Sequence, residues 1–149
     1  MSETALALER CSIARTLETV GDRWTLLILR DLFKGVRRFE GLHQNLGIAR
    51  NLLTDRLRRL EEARVLQRVP YQWRPIRHEY QLTARGRDLS SALVALMAWG
   101  DRWCAEDGPP TLLVHDICGT EVEQDVRCPE CNEIISPEHI RGRPGPGRE

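Results

Sequence analysis

The sequence contains no apolar run that approaches the length of a membrane span. A helix that crosses a bilayer needs roughly 20 consecutive apolar residues, and no stretch of the 149 residues comes near that length. Residues 1–4, Met-Ser-Glu-Thr, also lack the basic start and the apolar stretch of a signal peptide. We therefore expect a cytoplasmic protein that makes no contact with a membrane.

Net charge and lysine are both scarce in this chain. The 22 basic residues balance 22 acidic ones, and Lys34 is the single lysine among arginines. We attribute most of the arginine bias to a GC-rich genome. The neutral total hides a division, because residues 37–87 hold 12 arginines against 5 acids and residues 88–140 hold 2 against 11. A concentrated basic segment indicates a polyanionic partner such as DNA.

Signs of catalysis are missing as well, so we expect no enzyme. The sequence shows no paired catalytic acids, no phosphate-binding loop and no nucleophile with a matching base. The zinc-deaminase pattern also fails, because His115 is followed by Asp116-Ile117 and Pro129 lies inside the cysteine pair. In a reducing cytoplasm, the five cysteines indicate metal binding or redox sensing rather than a disulfide framework.

Apolar periodicity predicts a mainly helical first half. Residues at helical spacing predict helices over 11–20 and 24–33, and Asp22 is placed to cap the second of them. A short helix that ends at Gly47 precedes a longer helix over 49–63. The longer helix has one leucine stripe for packing and an opposite polar face for solvent or a DNA groove.

A β-hairpin and a long helix are predicted to follow. Residues 65–71 and 77–82 read as two strands, with a loop at 72–76. Thr83 is placed to cap a helix that reaches about residue 105, with an apolar stripe typical of helix pairing. That stripe could pack on its own domain, but we favour a dimer contact because the core is filled without it. The combination predicts a winged helix-turn-helix fold, mainly α with a small β-hairpin wing.

Composition changes predict three segments along the chain. Residues 1–108 form a winged helix-turn-helix domain for DNA binding and dimerisation, which ends where Gly-Pro-Pro breaks the long helix. Residues 109–140 form a short acidic appendage that resembles a zinc ribbon. Residues 141–149 are rich in glycine, proline and arginine, and this composition predicts a disordered tail.

The acidic appendage carries a candidate zinc site. His115 and Cys118 are three residues apart, and so are Cys128 and Cys131. Four such ligands close a tetrahedral zinc shell. A structural zinc ion would stabilise a segment too short to build much core. The alternative is a metal-free ribbon with reduced thiols, and His139 is a spare ligand that we rank lower.

A set of motifs over about residues 8–106 resembles the HxlR family of bacterial winged helix-turn-helix regulators. The motifs are Cys11-Ser12-Ile13-Ala14, Gly21-Asp22-Arg23-Trp24, Arg38-Phe39, Leu46-Gly47-Ile48, Leu57-Arg58-Arg59-Leu60, Glu79-Tyr80-Gln81-Leu82-Thr83 with Gly86, and Trp99-Gly100. The resemblance implies a homodimer on an inverted-repeat DNA operator, acting more often as a repressor. It also implies that the first and last long helices form the dimer.

Two positions depart from the family pattern. Ala49 stands where members often have a serine whose hydroxyl caps the recognition helix. The missing hydroxyl costs roughly 1 kcal/mol of capping free energy. Arg64 stands where members often have glycine, so it must adopt a less favourable backbone conformation or end the helix differently. Neither position is on the groove-facing side of the helix.

Within the family frame, helix 49–63 is the recognition helix. The residues expected to read the major groove are Arg50, Asn51, Thr54 and Arg58. Arginine can donate twice to guanine, and asparagine can pair with adenine. The residues expected to hold phosphates or enter the minor groove are Arg37, Arg38, Arg74 and Arg77. For any single arginine the alternative is a solvated surface charge.

Cys11 occupies a position that resembles the redox-sensing thiol of some family members. The alternative is an inert thiol packed at a dimer interface. We therefore expect a regulator that answers to an unknown small molecule or oxidant. Two other hypotheses are a protein-interaction adaptor that uses the winged helix as a scaffold, and a thiol or metal sensor.

Overall fold

The computed structural model describes residues 10–146 and contains helices and one hairpin. The elements in chain order are α1 Ser12–Val20, α2 Arg23–Phe33, α3 Phe39–Leu46, α4 Arg50–Glu62, β1 Leu66–Trp73, β2 Ile76–Leu82, α5 Ala84–Arg87, α6 Ser90–Trp103 and a 3-10 turn at Pro137–His139. This order agrees with the predicted winged helix-turn-helix. Among the described residues, no helix combines the length and the apolar character needed to cross a membrane.

Helix α2 lies at the centre of the core, as its apolar sides predict. It packs against α3, α4 and β2. Ile28 and Leu29 of α2 are fully buried, together with Leu42 of α3 and Leu53 of α4. Each of these elements thus contributes large aliphatic side chains to one shared core, which sets the position of α4 relative to the rest of the domain.

A cap fixes the start of α2, and a tight turn connects α3 to α4. Asp22 caps α2 as predicted, because its carboxylate accepts the backbone N–H groups of Trp24 and Thr25 at 3.1 and 3.2 Å. Gly47 adopts the predicted left-handed conformation, with φ of 60°, in the turn between α3 and α4. In the same turn, Nδ1 of His43 lies 2.8 Å from the carbonyl oxygen of Ile48.

Both departures from the family pattern have the expected local effect. Ala49 occupies the N-cap position of α4 and provides no side-chain cap. Arg64 follows α4 with φ of 57°, the left-handed region that glycine adopts more easily. The next N–H, that of Val65, donates to the carbonyl of Leu60 at 2.9 Å, so the chain still turns out of the helix.

The hairpin is longer than predicted. Strands β1 and β2 are antiparallel and pair from Leu66 with Leu82 to Trp73 with Ile76. The predicted loop at 72–76 therefore shortens to the two residues at 74–75. Pro75 is tolerated in this loop because the strand ladder needs no backbone N–H from that position.

The predicted single helix from Thr83 to about residue 105 is wrong in one respect, because it is divided in two. Thr83 caps the short α5 by accepting the N–H of Gly86 at 3.2 Å. Its hydroxyl also donates to the carbonyl of Arg64 at 2.7 Å, which ties α5 to the end of α4. The chain then turns, and α6 begins at Ser90. The helix is thus interrupted at residues 88–89 although no proline stands there.

Residues up to Leu93 form one compact unit, and residues from Val94 form a second. In the described part of the second unit beyond α6, the chain pairs only at isolated bridges, Val114 with Glu121 and Arg127 with Ile134. The predicted domain limits at residues 108 and 140 stay predictions. The predicted disordered tail lies partly outside the described residues, which end at residue 146.

Candidate nucleic-acid interface

Helix α4 separates an apolar face from a polar one as its periodicity predicts. Leu53, Leu57 and Leu60 are buried. The four residues expected to read the major groove are all exposed on the other side of the helix, namely Arg50, Asn51, Thr54 and Arg58. One face thus fixes the helix to the core and leaves the other free to meet a groove.

Arg50, at the start of α4, is held by a carboxylate from α3. Its two terminal nitrogens donate to the two oxygens of Glu40, each at 2.7 Å. The guanidinium also lies 5.6 Å from the ring centroid of Phe39. The hydrogen bonds from Arg50 lower the pKa of the Glu40 carboxyl. Nothing in the linear sequence marks Glu40 as the partner of Arg50, and Glu40 is not among the predicted site residues.

Arg58 is also engaged by carboxylates, both from its own helix. It donates to Glu62 at 2.6 Å and to Asp55 at 3.0 Å. Asp55 lies 2.9 Å from Arg59 as well. The hydrogen bond from Arg58, with the nearby arginine charges, lowers the pKa of the Asp55 carboxyl. Asp55 is thus paired with arginines of its own helix.

Asn51 and Thr54 differ in how available they are. The hydroxyl of Thr54 donates to the carbonyl of Arg50 at 2.9 Å, within the helix. Among residues 10–146, the side-chain amide of Asn51 makes no hydrogen bond. Among the four exposed residues, Asn51 is therefore the one whose side chain keeps its full donor and acceptor capacity open.

Arg56 holds α4 in place, and the sequence did not single it out for that role. Its Nε donates to the Asp22 carboxylate at 2.9 Å, and one terminal nitrogen donates to Asp55 at 2.7 Å. The Arg56 side chain is only 18% exposed. Burial alone would raise the pKa of Asp22, but hydrogen bonds from Thr25 and Arg56 outweigh that effect and lower it. The carboxylate that caps α2 thus also positions the recognition helix.

The two arginines before α3 are anchored to the wing. The backbone carbonyl of Arg37 accepts the N–H of Tyr80 at 2.7 Å, and its side chain lies 3.7 Å from Glu79. The guanidinium of Arg38 lies 4.3 Å from the ring centroid of Tyr71. A cation over an aromatic face is attracted by the ring. Both predicted phosphate-binding residues therefore sit beside the hairpin and are exposed to solvent.

Arg74 and Arg77 lie at the tip of the wing. Both are exposed, and in the described part of the chain no ion pair involves either side chain. Trp73 and Ile76 pair across the tip and expose most of their apolar surface. The wing tip therefore presents exposed positive charge next to exposed apolar surface.

The four predicted metal ligands form two local pairs. Nδ1 of His115 lies 3.2 Å from Sγ of Cys118, and hydrogen bonds from Cys131 and Glu130 lower the pKa of the Cys128 thiol. Hydrogen bonds from the side chain and backbone of Thr120 lower the pKa of the Cys118 thiol. Among residues 10–146, no three His, Cys, Asp or Glu side chains gather closely enough to hold a metal ion.

The redox candidate Cys11 begins α1. It occupies the N-cap position, is partly buried and makes no side-chain capping hydrogen bond. Its carbonyl accepts the N–H of Arg15 at 3.0 Å. The thiol is therefore partly open to solvent at the amino end of a helix.

Comparison with known proteins places this arrangement among transcriptional regulators. A family model described as HxlR-like helix-turn-helix matches residues 19–108. An HTH-type transcriptional regulator of Mycobacterium tuberculosis is 48% identical over 148 residues, which cover 99% of this chain and 94% of that protein. These relatives are regulators and not enzymes.

Solved structures agree with this result. The transcription factor PA1607 superposes with a TM-score of 0.81 at 36% identity, over 90% of this chain and 94% of that one. The redox regulator HypR, in its reduced form, superposes with a TM-score of 0.58 at 28% identity, over 62% of this chain and 92% of that one. The first match extends past the winged domain, whereas the second covers a shorter part of the chain.

Proposed function

We propose a function from the family to which the chain belongs, the HxlR-like helix-turn-helix transcriptional regulators. In this proposal the chain acts as a homodimeric repressor on an inverted-repeat operator. The observation that carries the proposal is α4, whose leucines are buried while Asn51 and its polar neighbours face outward beside a basic wing. Two such helices about one helical turn of DNA apart would read the two halves of a palindrome.

The contacts divide into those that read bases and those that bind the backbone. Asn51 would pair with adenine, and Arg50 and Arg58 would donate to guanine. The latter two must first exchange a carboxylate partner. Exposed ion pairs contribute only about 0.2–1 kcal/mol each, so a guanine with two acceptors can replace them. The backbone contacts would come from Arg37, Arg38, Arg74 and Arg77.

Exposed apolar faces support the homodimer. Ile13 of α1 is 71% exposed, and Trp99 and Trp103 of α6 are 62% and 69% exposed. Leu89 and Leu93 instead pack on the core of their own unit. The first part of the predicted stripe therefore packs within its own unit, and the later part is left open for contact with a second copy of the chain. A second copy of the chain is the occupant that the family resemblance favours for these faces.

The test is fluorescence anisotropy on DNA from the gene's own upstream region and on scrambled DNA, across a salt series. We expect a preference for the native fragment and a steep fall of affinity with salt. Asn51→Ala should relax the preference at one base position, at a cost of about 1–3 kcal/mol on the native fragment. Arg77→Ala, the matched backbone variant, should weaken both fragments alike and reduce the salt slope by about one.

Weak and equal binding of both fragments would contradict the proposal. It would favour instead the adaptor hypothesis, in which the winged helix is a scaffold for other proteins. A uniform loss of affinity from Asn51→Ala would contradict its assignment as a base-reading residue while leaving DNA binding intact.

We further propose that oxidation of Cys11 is one signal that alters DNA binding. The similarity to the redox regulator HypR and the partly exposed thiol at the start of α1 support this role. Hydrogen peroxide oxidises a single thiol to a sulfenic acid and releases water. Treating the reduced protein with it should change its operator affinity, and Cys11→Ser should abolish that response. Cys104→Ser is the matched control and should respond like the wild type. An unchanged response in Cys11→Ser would assign the thiol to packing.

A further inference from the structure

The described segment at 109–146 has no hydrophobic core of its own, because none of its residues is buried. Ile117 is 84% exposed, and Leu112 and Ile134 are each more than half exposed. Apolar burial is the main stabilising contribution in most domains. A segment that lacks it must draw its stability from another source, and a bound metal ion is one that small domains use.

The residues at 114–121, which we name the first knuckle, form a closed turn. Its first and last residues pair as an antiparallel bridge. The N–H of His115 donates to the carbonyl of Thr120 at 2.8 Å, and the N–H of Gly119 donates back to the carbonyl of His115 at 2.7 Å. Gly119 has φ of 72°, which reverses the chain directly after Cys118.

The residues at 127–134, the second knuckle, repeat this scheme. The first and last residues again pair as a bridge. The N–H of Cys128 donates to the carbonyl of Glu133 at 2.9 Å, and the N–H of Asn132 donates to the carbonyl of Cys128 at 3.0 Å. Asn132 has φ of 59° directly after Cys131. Asparagine is one of the few residues that adopt this conformation readily.

The two knuckles therefore match bond for bond, and His115 corresponds to Cys128 as Cys118 does to Cys131. Their side chains differ almost everywhere else. What the knuckles share is the turn and two metal-ligating side chains at equivalent positions. A thiolate or imidazole pair on such a turn is a spacing that suits one tetrahedral ion.

The ligand atoms of the first knuckle are already at a suitable separation. Two ligands on one tetrahedral zinc ion lie about 3.5 Å apart, given Zn–S and Zn–N bonds of about 2.3 and 2.0–2.1 Å. Nδ1 of His115 and Sγ of Cys118 are 3.2 Å apart. Each knuckle supplies two ligands, and among residues 10–146 no three such side chains are gathered at one point, so the two pairs must approach each other to share an ion. One complete shell therefore requires both knuckles.

We propose that the two knuckles close on one Zn²⁺ ion, with His115, Cys118, Cys128 and Cys131 as its ligands, and that this ion replaces a hydrophobic core in the carboxy-terminal segment. Three thiols lose their protons to solvent on binding, and His115 binds as a neutral imidazole. Soft sulfur ligands with one imidazole in a tetrahedral arrangement favour zinc over magnesium or calcium. With four protein ligands, the site would be structural and closed.

The test measures zinc in the purified full-length chain by mass spectrometry after dialysis against metal-free buffer. We expect one zinc ion per wild-type chain and loss of most of it in Cys128→Ser/Cys131→Ser. Cys11→Ser and Cys104→Ser, which remove thiols outside the knuckles, should retain it. His115→Cys should also retain it, because a thiolate replaces the imidazole, whereas His115→Ala should bind it more weakly.

Cobalt substitution gives a second readout that does not depend on the fold of the variants. Co²⁺ in the wild-type chain should show the intense visible bands of a tetrahedral site and sulfur-to-metal charge transfer. A wild-type chain without bound metal, an octahedral cobalt spectrum, or full zinc retention in the double cysteine variant would overturn the proposal. None of these measurements involves DNA, so the result is independent of the proposed function.

Discussion

At the scale of single residues, the arginines of α4 have distinct roles that their common chemistry conceals. Arg50 and Arg58 face outward and are held by carboxylates, whereas Arg56 is mostly buried and joins α4 to Asp22. The helical period was enough to predict which residues of α4 are exposed and which are buried. It could not predict that Arg50 would meet Glu40 or that Arg56 would meet Asp22, because these two acids approach α4 from other parts of the chain only in the fold.

Replacing Arg56 should destabilise the fold, unlike replacing its neighbour. Arg56→Ala removes two charge-assisted hydrogen bonds from a mostly buried guanidinium and should cost about 1–2 kcal/mol of unfolding free energy. Arg59→Ala removes an exposed pair with Asp55 and should cost no more than about 0.5 kcal/mol. Urea denaturation of both variants checks this. Equal midpoints for the two would refute the structural role of Arg56.

The cap at Asp22 should make stability depend on pH in the acid range. Folding lowers the pKa of Asp22 below its ordinary value of 3.8. The group therefore contributes stability that is fully present above the unfolded value and is lost as pH falls through the folded one. Asp22→Asn retains a capping side chain but cannot ionise. Thermal melts from neutral to acid pH should show a shallower loss for this variant, and a parallel loss would contradict the assignment.

At the scale of elements, α1 to α4 and the hairpin were predictable because each carries a clear period and a terminal signal. Asp22 and Gly47 mark helix ends by their chemistry, and the structure confirms both. The break between α5 and α6 was not predictable. No glycine or proline stands at 88–89, so the sequence carries no local signal for the break.

Gly86 should be intolerant of substitution because of how α5 packs. A Cβ atom added there would clash with the carbonyl oxygen of Val65, which belongs to the backbone and cannot rotate away as a side chain would. Gly86→Ala should therefore cost about 1–3 kcal/mol through overpacking. Gly142→Ala meets no atom within 4 Å and is the matched control. The melting temperature of each variant gives the answer, and an unchanged Tm for Gly86→Ala would mean that α5 can move.

At the scale of the whole molecule, charge and apolar surface are both unevenly distributed. Basic residues concentrate around α4 and the wing, while acidic ones concentrate beyond α5. The exposed tryptophans of α6 lie in the acidic part. The sequence alone indicated this division, because charge counting needs no structure. It could not show how much of the α6 stripe its own unit would cover, since that depends on where α6 begins.

The exposed end of α6 should control the oligomeric state. Trp99→Glu places a charge on an apolar face and should convert a dimer into a monomer, because burying an unpaired carboxylate is costly. Ile76→Glu, an equally exposed apolar residue at the wing tip, should leave the dimer intact. Light scattering coupled to size-exclusion chromatography measures both masses. A dimer in Trp99→Glu with an unchanged mass would move the interface elsewhere.

If Arg50 and Arg58 read bases as proposed, the carboxylates that hold them compete with DNA for their guanidinium groups. On a random DNA sequence, each arginine would exchange its carboxylate partner at 2.6–2.7 Å for a phosphate group. The two ion pairs are of similar strength, so the exchange adds little binding free energy. Only a guanine that presents two acceptors in the right place offsets the lost ion pair with the carboxylate. The recognition helix should therefore leave wrong sites quickly, which shortens its residence there and speeds the search along a chromosome.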